Sequence, residues 1–194
     1  MRRFRRIAVY CGSSRGNSPE YVEIARDFGR FLAQRGIGVV YGGGRVGMMG
    51  AVADGALGEG GEVIGVIPEK LQTLELAHRG VSELFVVDSM HARKMLMAQL
   101  SDGFVGLPGG YGTLEEVFEV TTWTQLNYHR KPVGLLNARG YYDKLLAFLA
   151  HATGEGFVRP ELASLIATAD TPEVLLQALE TAEIPDLEKW IDRP

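Results

Sequence analysis

Residues 108–113 read Pro-Gly-Gly-Tyr-Gly-Thr, a composition suited to holding an anion. Glycines let backbone amides approach a charged ligand that side chains would keep at a distance, and a threonine at a helix entrance adds a hydroxyl. Gly109, Gly110, Tyr111, Gly112, Thr113 and Leu114 are therefore candidate phosphate-binding residues. The plainer alternative is a tight turn needing positive φ, but three glycines with a threonine exceed what one turn requires. Glu115, Glu116 and Glu119 follow at once. Acidic residues early in a helix are electrostatically favourable, which accounts for one or two of them. A carboxylate one turn inside a phosphate-binding helix also lies near the sugar of a bound nucleotide. There it can stabilise positive charge developing on the sugar and activate an attacking water, the needs of glycoside cleavage. Spacing does not choose between Glu115 and Glu116.

Arg93 and Lys94 fall in the first turn of a helix whose later residues are mostly apolar. Cations there oppose the helix dipole unless an anion stands opposite. For Arg93 that anion is read as a nucleotide, and for Lys94 a structural salt bridge competes on equal terms. Two other junctions are rich in glycine or hydroxyls, 11–16 with Ser13 and 42–47 with Gly43. The second has the spacing G-x-G-x-x-G, but it follows the second strand, and Met48-Met49 stand where a P-loop needs lysine and a hydroxyl. It is either a packing turn or a ligand-facing wall. His91 invites a general-acid reading, yet His78, His91, His129 and His151 show no metal-ligand spacing, so no metal and no cofactor are expected. No G-x-S-x-G elbow accompanies Ser13 and Ser14. Cys11 reads as a small buried strand residue.

Elements of a particular kind must position these groups. Short apolar runs at Ile7–Cys11, Gly38–Tyr41, Val63–Ile67, Leu84–Val87, Phe104–Leu107 and Val133–Leu136 read as strands, with a further one at Leu165–Ala167. Most are continuously apolar, so both faces are covered, and helical patterns alternate with them. The predicted fold is α/β, a Rossmann-like doubly wound parallel sheet with helices on both faces. The first helix shows Tyr21, Ile24, Ala25, Phe28, Phe31 and Leu32 on one face, with Ser18 as cap, Pro19 as first residue and Gly36 as left-handed end. The others are placed near 47–58, 90–101, 113–128, 141–152 and 172–182. Ligands collect at the carboxyl ends of such strands, where the glycine-rich junctions lie.

The whole chain sets outer bounds. Its 194 residues, 46% hydrophobic and 23% charged, suit one domain, 1–194, with 185–194 as a surface tail. A net charge of -4 argues against a nucleic-acid partner and favours a small-molecule nucleotide. One cysteine permits no internal disulfide, and no stretch is apolar enough for a membrane or a signal peptide, so a cytoplasmic location is expected.

The motif P-G-G-x-G-T-x-x-E at 108–116, joined to Met90-His91-Ala92-Arg93-Lys94, resembles the LOG family of cytokinin-activating phosphoribohydrolases. The resemblance extends to Cys11-Gly12-Ser13-Ser14, Tyr41-Gly42-Gly43-Gly44 and Lys131–Asn137. It implies a homodimer that releases a free base and ribose 5-phosphate from a cytokinin riboside 5′-monophosphate, often with activity on AMP. It assigns the catalytic pair to Arg93 and Glu116, the phosphate loop to Gly109, Gly110, Gly112 and Thr113, and substrate contacts to Lys94, Glu75 and Thr121. A nucleotide-binding carrier or sensor without turnover is the alternative. Such proteins have also been labelled lysine decarboxylases, which needs a lysine in a Schiff base with pyridoxal phosphate, and no residue here marks one.

Overall fold

The computed structural model of the chain describes residues 2–72 and 77–185. Seven strands form one parallel sheet: β1 (Arg6–Tyr10), β2 (Gly38–Tyr41), β3 (Val63–Pro68), β4 (Glu83–Val87), β5 (Gly103–Gly106), β6 (Val133–Leu136) and β7 (Ile166–Ala169). Their spatial order is β4-β3-β2-β1-β5-β6-β7. Strand ends differ by a residue or two from the apolar runs, because ladder pairing rather than polarity defines them. Arg6 enters β1 opposite Gly38 and holds Glu62 through two hydrogen bonds of 2.6 and 2.9 Å, while Cys11 falls just beyond.

Seven helices cover the sheet: α1 (Glu20–Gln34), α2 (Gly47–Gly58), α3 (Glu69–Gln72), α4 (Met90–Leu100), α5 (Tyr111–Gln125), α6 (Asp143–Gly154) and α7 (Pro172–Thr181). Successive strand residues point to opposite faces. Ile7, Val9, Val39 and Val105 therefore join the core under α1, α2 and α7, while Ala8, Tyr10, Val40 and Phe104 join the core under α4 and α5. The sheet is doubly wound, as the continuous apolar runs require. Helices α1 and α2 touch backbone to backbone: a Cβ on Gly29 would collide with the Val52 carbonyl, and one on Gly55 with that of Arg26.

Several boundaries correct the sequence expectations. Pro19, not Ser18, is the cap residue of α1, and Ser18 contributes its carbonyl, accepting from the Tyr21 amide, rather than its side chain. Gly36 does close the helix, at φ +70°. Helix α5 begins at Tyr111, two residues before the expected start, so Tyr111 and Gly112 are helical. Helix α6 begins at Asp143 because a 3-10 turn, Ala138–Gly140, precedes it and the Asn137 side chain captures the Tyr142 amide at 2.7 Å. The short α3 was not expected. The tail reading for 185–194 lies, beyond Pro185, outside the described residues.

Candidate active site

Strand order reverses between β1 and β5, and a crevice opens at that switch point beyond the strands' carboxyl ends. A cleft of about 210 Å³ occupies it. Its floor is the end of β1 with Tyr10, Cys11, Gly12 and Ser13. Gly42, Met49, Met90 and Arg93 form one side, and the opening of α5 forms the other.

The α5 side leaves helix-terminal amides without a side-chain cap. The first amides of any helix have no partner within it. Ser89 caps α4 and Thr171 caps α7 through their side chains, but Gly110 at the head of α5 supplies no side-chain cap. None of Gly109, Gly110 and Gly112 has positive φ, so the turn explanation fails. Gly109 is small because a Cβ would strike the buried Thr113 hydroxyl and the Gly12 amide. At Gly110 and Gly112 a Cβ would meet no described atom within 4 Å. Both residues line the cleft, so a side chain there would enter the cleft rather than meet the protein.

Arg93 and Glu116 face each other across the cleft's inner end. Arg93 is 6% exposed; its Nε donates to the Val66 carbonyl at 3.2 Å and its Nη2 to the Gly42 carbonyl at 3.3 Å. A Cβ on Gly42 would collide with the guanidinium, so that glycine makes room for the arginine. Anchored twice to the sheet, Arg93 turns Nη1 toward Glu116 Oε1, 3.9 Å away. Glu116 is 9% exposed and sits one turn into α5. A buried carboxylate beside a fixed cation is held in one place, the condition for stabilising a developing positive charge. Burial, reinforced by the Glu116 carboxylate, pushes the Tyr10 phenol and the Cys11 thiol well above their ordinary values. Both are neutral near pH 7, and Cys11 is no thiolate nucleophile.

Lys94 is engaged by carboxylates of the protein itself. It is 8% exposed, does not line the cleft, and donates to Glu115 at 2.5 Å and Glu119 at 2.9 Å. Burial works to lower its pKa, but the hydrogen bonds to the two carboxylates outweigh it, and the net shift is upward. Glu115 and Glu116, between which spacing did not choose, both line the cleft but have different partners. Glu115 is tied to Lys94, while Glu116 faces the arginine.

Other sequence candidates scatter. Ser13 lines the cleft. Gly43 does not: at φ +79° it packs toward Ile67 and Leu84, and its neighbour Gly42 takes the site position. Leu114 packs into the core, and His91 is exposed outside the cleft lining. Thr121 lies farther along α5, donates to the Val117 carbonyl at 2.7 Å, and lines a separate apolar hollow with Phe118, Leu146 and Leu149. Glu75 lies outside the described residues. The segment 42–47, offered as a packing turn or a ligand-facing wall, supplies a wall through Gly42, while Met49 and Met90 were not singled out by the sequence reading. Among the described residues no group of three or more His, Cys, Asp or Glu could share a metal ion, and no helix is long and apolar enough to cross a membrane.

Residues 49–179 match a family described as possible lysine decarboxylase. The chain is 50% identical over 178 residues to a probable cytokinin riboside 5′-monophosphate phosphoribohydrolase of Oryza sativa subsp. japonica, covering 92% of this chain and 84% of that one. It is 49% identical over 181 residues to a cytokinin riboside 5′-monophosphate phosphoribohydrolase of Arabidopsis thaliana, covering 93% and 83%. Among solved structures, the molybdenum cofactor binding protein of Rippkaea orientalis superposes with a TM-score of 0.66 at 26% identity, over 89% of this chain and 93% of that one. The decarboxylase description asks for a lysine free to form an imine, whereas Lys94 is held as an ammonium between two carboxylates.

Proposed function

This chain belongs to the LOG family of cytokinin riboside 5′-monophosphate phosphoribohydrolases, and from that premise we propose that it hydrolyses the N-glycosidic bond of such nucleotides and of AMP. The observation that carries the reading is the buried Glu116 facing a twice-anchored Arg93, one helical turn beyond the uncapped cradle at Gly110. The amides at the head of α5 and the Thr113 hydroxyl take the 5′-phosphate, where the helix dipole favours it. The ribose then lies toward Glu116, whose carboxylate stabilises the ribosyl cation and orients water. Water adds its oxygen to C1′. The electron pair of the C1′–N bond leaves with the base, which takes up a proton, and ribose 5-phosphate remains. Arg93 stands 3.9 Å from the Glu116 carboxylate and holds it in place. Because its other donors are committed to backbone carbonyls, that arrangement precedes ligand binding and adds no reorganisation to the reaction.

The same fold serves the molybdenum cofactor binding protein, so the fold alone does not select catalysis over carriage. Base release from AMP and from isopentenyladenosine 5′-monophosphate, measured by chromatography for wild type and Glu116→Gln, separates the two. Expected is a loss of roughly 10³-fold in turnover with nucleotide binding retained. Binding without any release by the wild type would instead make the protein a nucleotide carrier or sensor. A homodimer belongs to the same reading, supported by large apolar side chains left exposed beside α5 and on α6, Leu126 and Phe148. So does a cytoplasmic location, supported by the confinement of charged nucleotides to the cell interior.

A further inference from the structure

We propose that Tyr141 is a positioning residue for the cradle: its hydroxyl holds the Gly109 carbonyl and so aims the Gly110 amide at the bound phosphate. The proposal rests on the phosphate reading of that cradle. Tyr141 Oη donates to the Gly109 carbonyl at 2.6 Å. The peptide joining Gly109 to Gly110 is planar and trans, so its carbonyl and its N–H point in opposite directions. With the carbonyl drawn toward the 137–143 turn, the Gly110 N–H faces the other way. Gly110 itself lines the cleft.

The two preceding carbonyls are held as well. Tyr142 Oη donates to the Leu107 carbonyl at 2.6 Å, and the Gly12 amide donates to that of Pro108 at 3.1 Å. Three consecutive peptide planes between β5 and α5 are thus fixed, and glycine's freedom in this loop is removed without a side chain entering the cleft. The tandem tyrosines divide the work. Tyr142 is buried and its ring belongs to the core, whereas Tyr141 is 41% exposed and reaches only the last carbonyl. Its ring stands edge-on to Tyr142 at 4.9 Å and to Tyr21 at 5.7 Å, which sets the hydroxyl's direction.

The turn that presents both rings is itself specified. Asn137 accepts from the Tyr142 amide at 2.7 Å and donates to Asp143 at 2.8 Å, while Arg139 and Gly140 take φ of +61° and +67°. Positive φ at a non-glycine residue is uncommon, and here Arg139 pairs with Glu20 and lies over the Tyr21 ring, which itself meets Tyr141 edge-on.

Tyr141→Phe keeps the ring packing and removes only the hydroxyl. Calorimetric titration with ribose 5-phosphate is expected to show affinity reduced about 5- to 10-fold, the effect of one misdirected hydrogen bond. KM for the nucleotide should rise by the same factor with kcat within about twofold, because a phosphate contact is present equally before and during reaction. Inhibition by free adenine and the melting temperature should not move. In a 1H–15N spectrum, the Gly110 amide should shift on adding ribose 5-phosphate to the wild type and lose that shift in the variant. Equal ribose 5-phosphate affinity in the two proteins overturns the role of Tyr141. So does a variant whose melting temperature and adenine affinity fall together with its phosphate affinity, since that marks general loosening. A wild type that binds adenine but not ribose 5-phosphate overturns the phosphate reading itself, a distinct failure.

Discussion

At the scale of single residues, the cradle separates two reasons for being glycine. Gly109 is confined by its own protein, with the Thr113 hydroxyl where a Cβ would sit, whereas Gly112 borders empty space at negative φ inside a helix. Gly112→Ala is therefore expected to leave stability unchanged or raise it by up to about 1 kcal/mol, since alanine suits a helix better. The same change should cut phosphate-dependent activity at least about tenfold by crowding the ligand. Thermal melting and steady-state kinetics on one preparation check both halves, and a variant with full activity would remove the reason given for this glycine. The divergence of the two readouts is the signature of space kept for a ligand rather than for the fold.

At the scale of elements, helices α1 and α2 approach each other closely at Gly29 and Gly55. A methyl group at Gly29 must displace the Val52 carbonyl, a backbone atom in a helix that cannot swing aside. Gly29→Ala should therefore destabilise the protein by about 1–3 kcal/mol, read as a lower denaturation midpoint at unchanged slope. Elements of this kind were only partly legible in the sequence. The inner strands were, because burial on both faces leaves continuous apolar runs such as Ile7-Ala8-Val9-Tyr10 that little else produces. Helix α1 was legible from its periodicity, but the start of α5 was misplaced because Tyr-Gly looks like loop when no contact is visible. Four residues of α3 carry no periodicity to read. The pairing of Arg93 with Glu116 followed from the family motif, not from spacing. Within the segment 42–47, the sequence did not show that Gly42 lines the cleft while Gly43 packs toward Ile67 and Leu84. Tyr141 was invisible because its partner lies 32 positions earlier in sequence, and no local pattern links them.

At the scale of the molecule, the sheet separates the cleft at the carboxyl ends of its strands from a half-buried, titratable spot at their amino ends. His129 packs against Phe104 and Trp123, accepts from the Lys131 amide through Nδ1 at 3.3 Å, and leaves Nε2 buried without a partner among the described residues. Burial, with the nearby Lys131 ammonium adding to it, pushes its pKa down from 6.5 to about 4. The folded protein prefers the neutral ring, so this stabilisation is complete above pH 6.5 and is lost progressively as pH falls toward 4. The melting temperature should decline across that window, and His129→Gln should flatten the decline while leaving base release at pH 7.5 intact. A variant with the wild-type pH slope would show that the ring's protonation is not coupled to folding. Glu62, lowered chiefly by its hydrogen bond to Arg6, acts in a separate window. Its contribution is present above its unfolded value near 4.5 and disappears only as pH drops through a lower one.

On the proposed reading, the uncapped head of α5 grips a group that hydrolysis does not alter, the 5′-phosphate. Phosphate is the same group on substrate and on the ribose 5-phosphate left behind, so the contacts that raise affinity for one raise it equally for the other. Such a grip does not lower the barrier to bond cleavage; it lowers KM and slows departure of the phosphosugar together. An enzyme built this way throttles itself as its own product accumulates, and its steady output depends on how quickly other reactions clear that sugar phosphate.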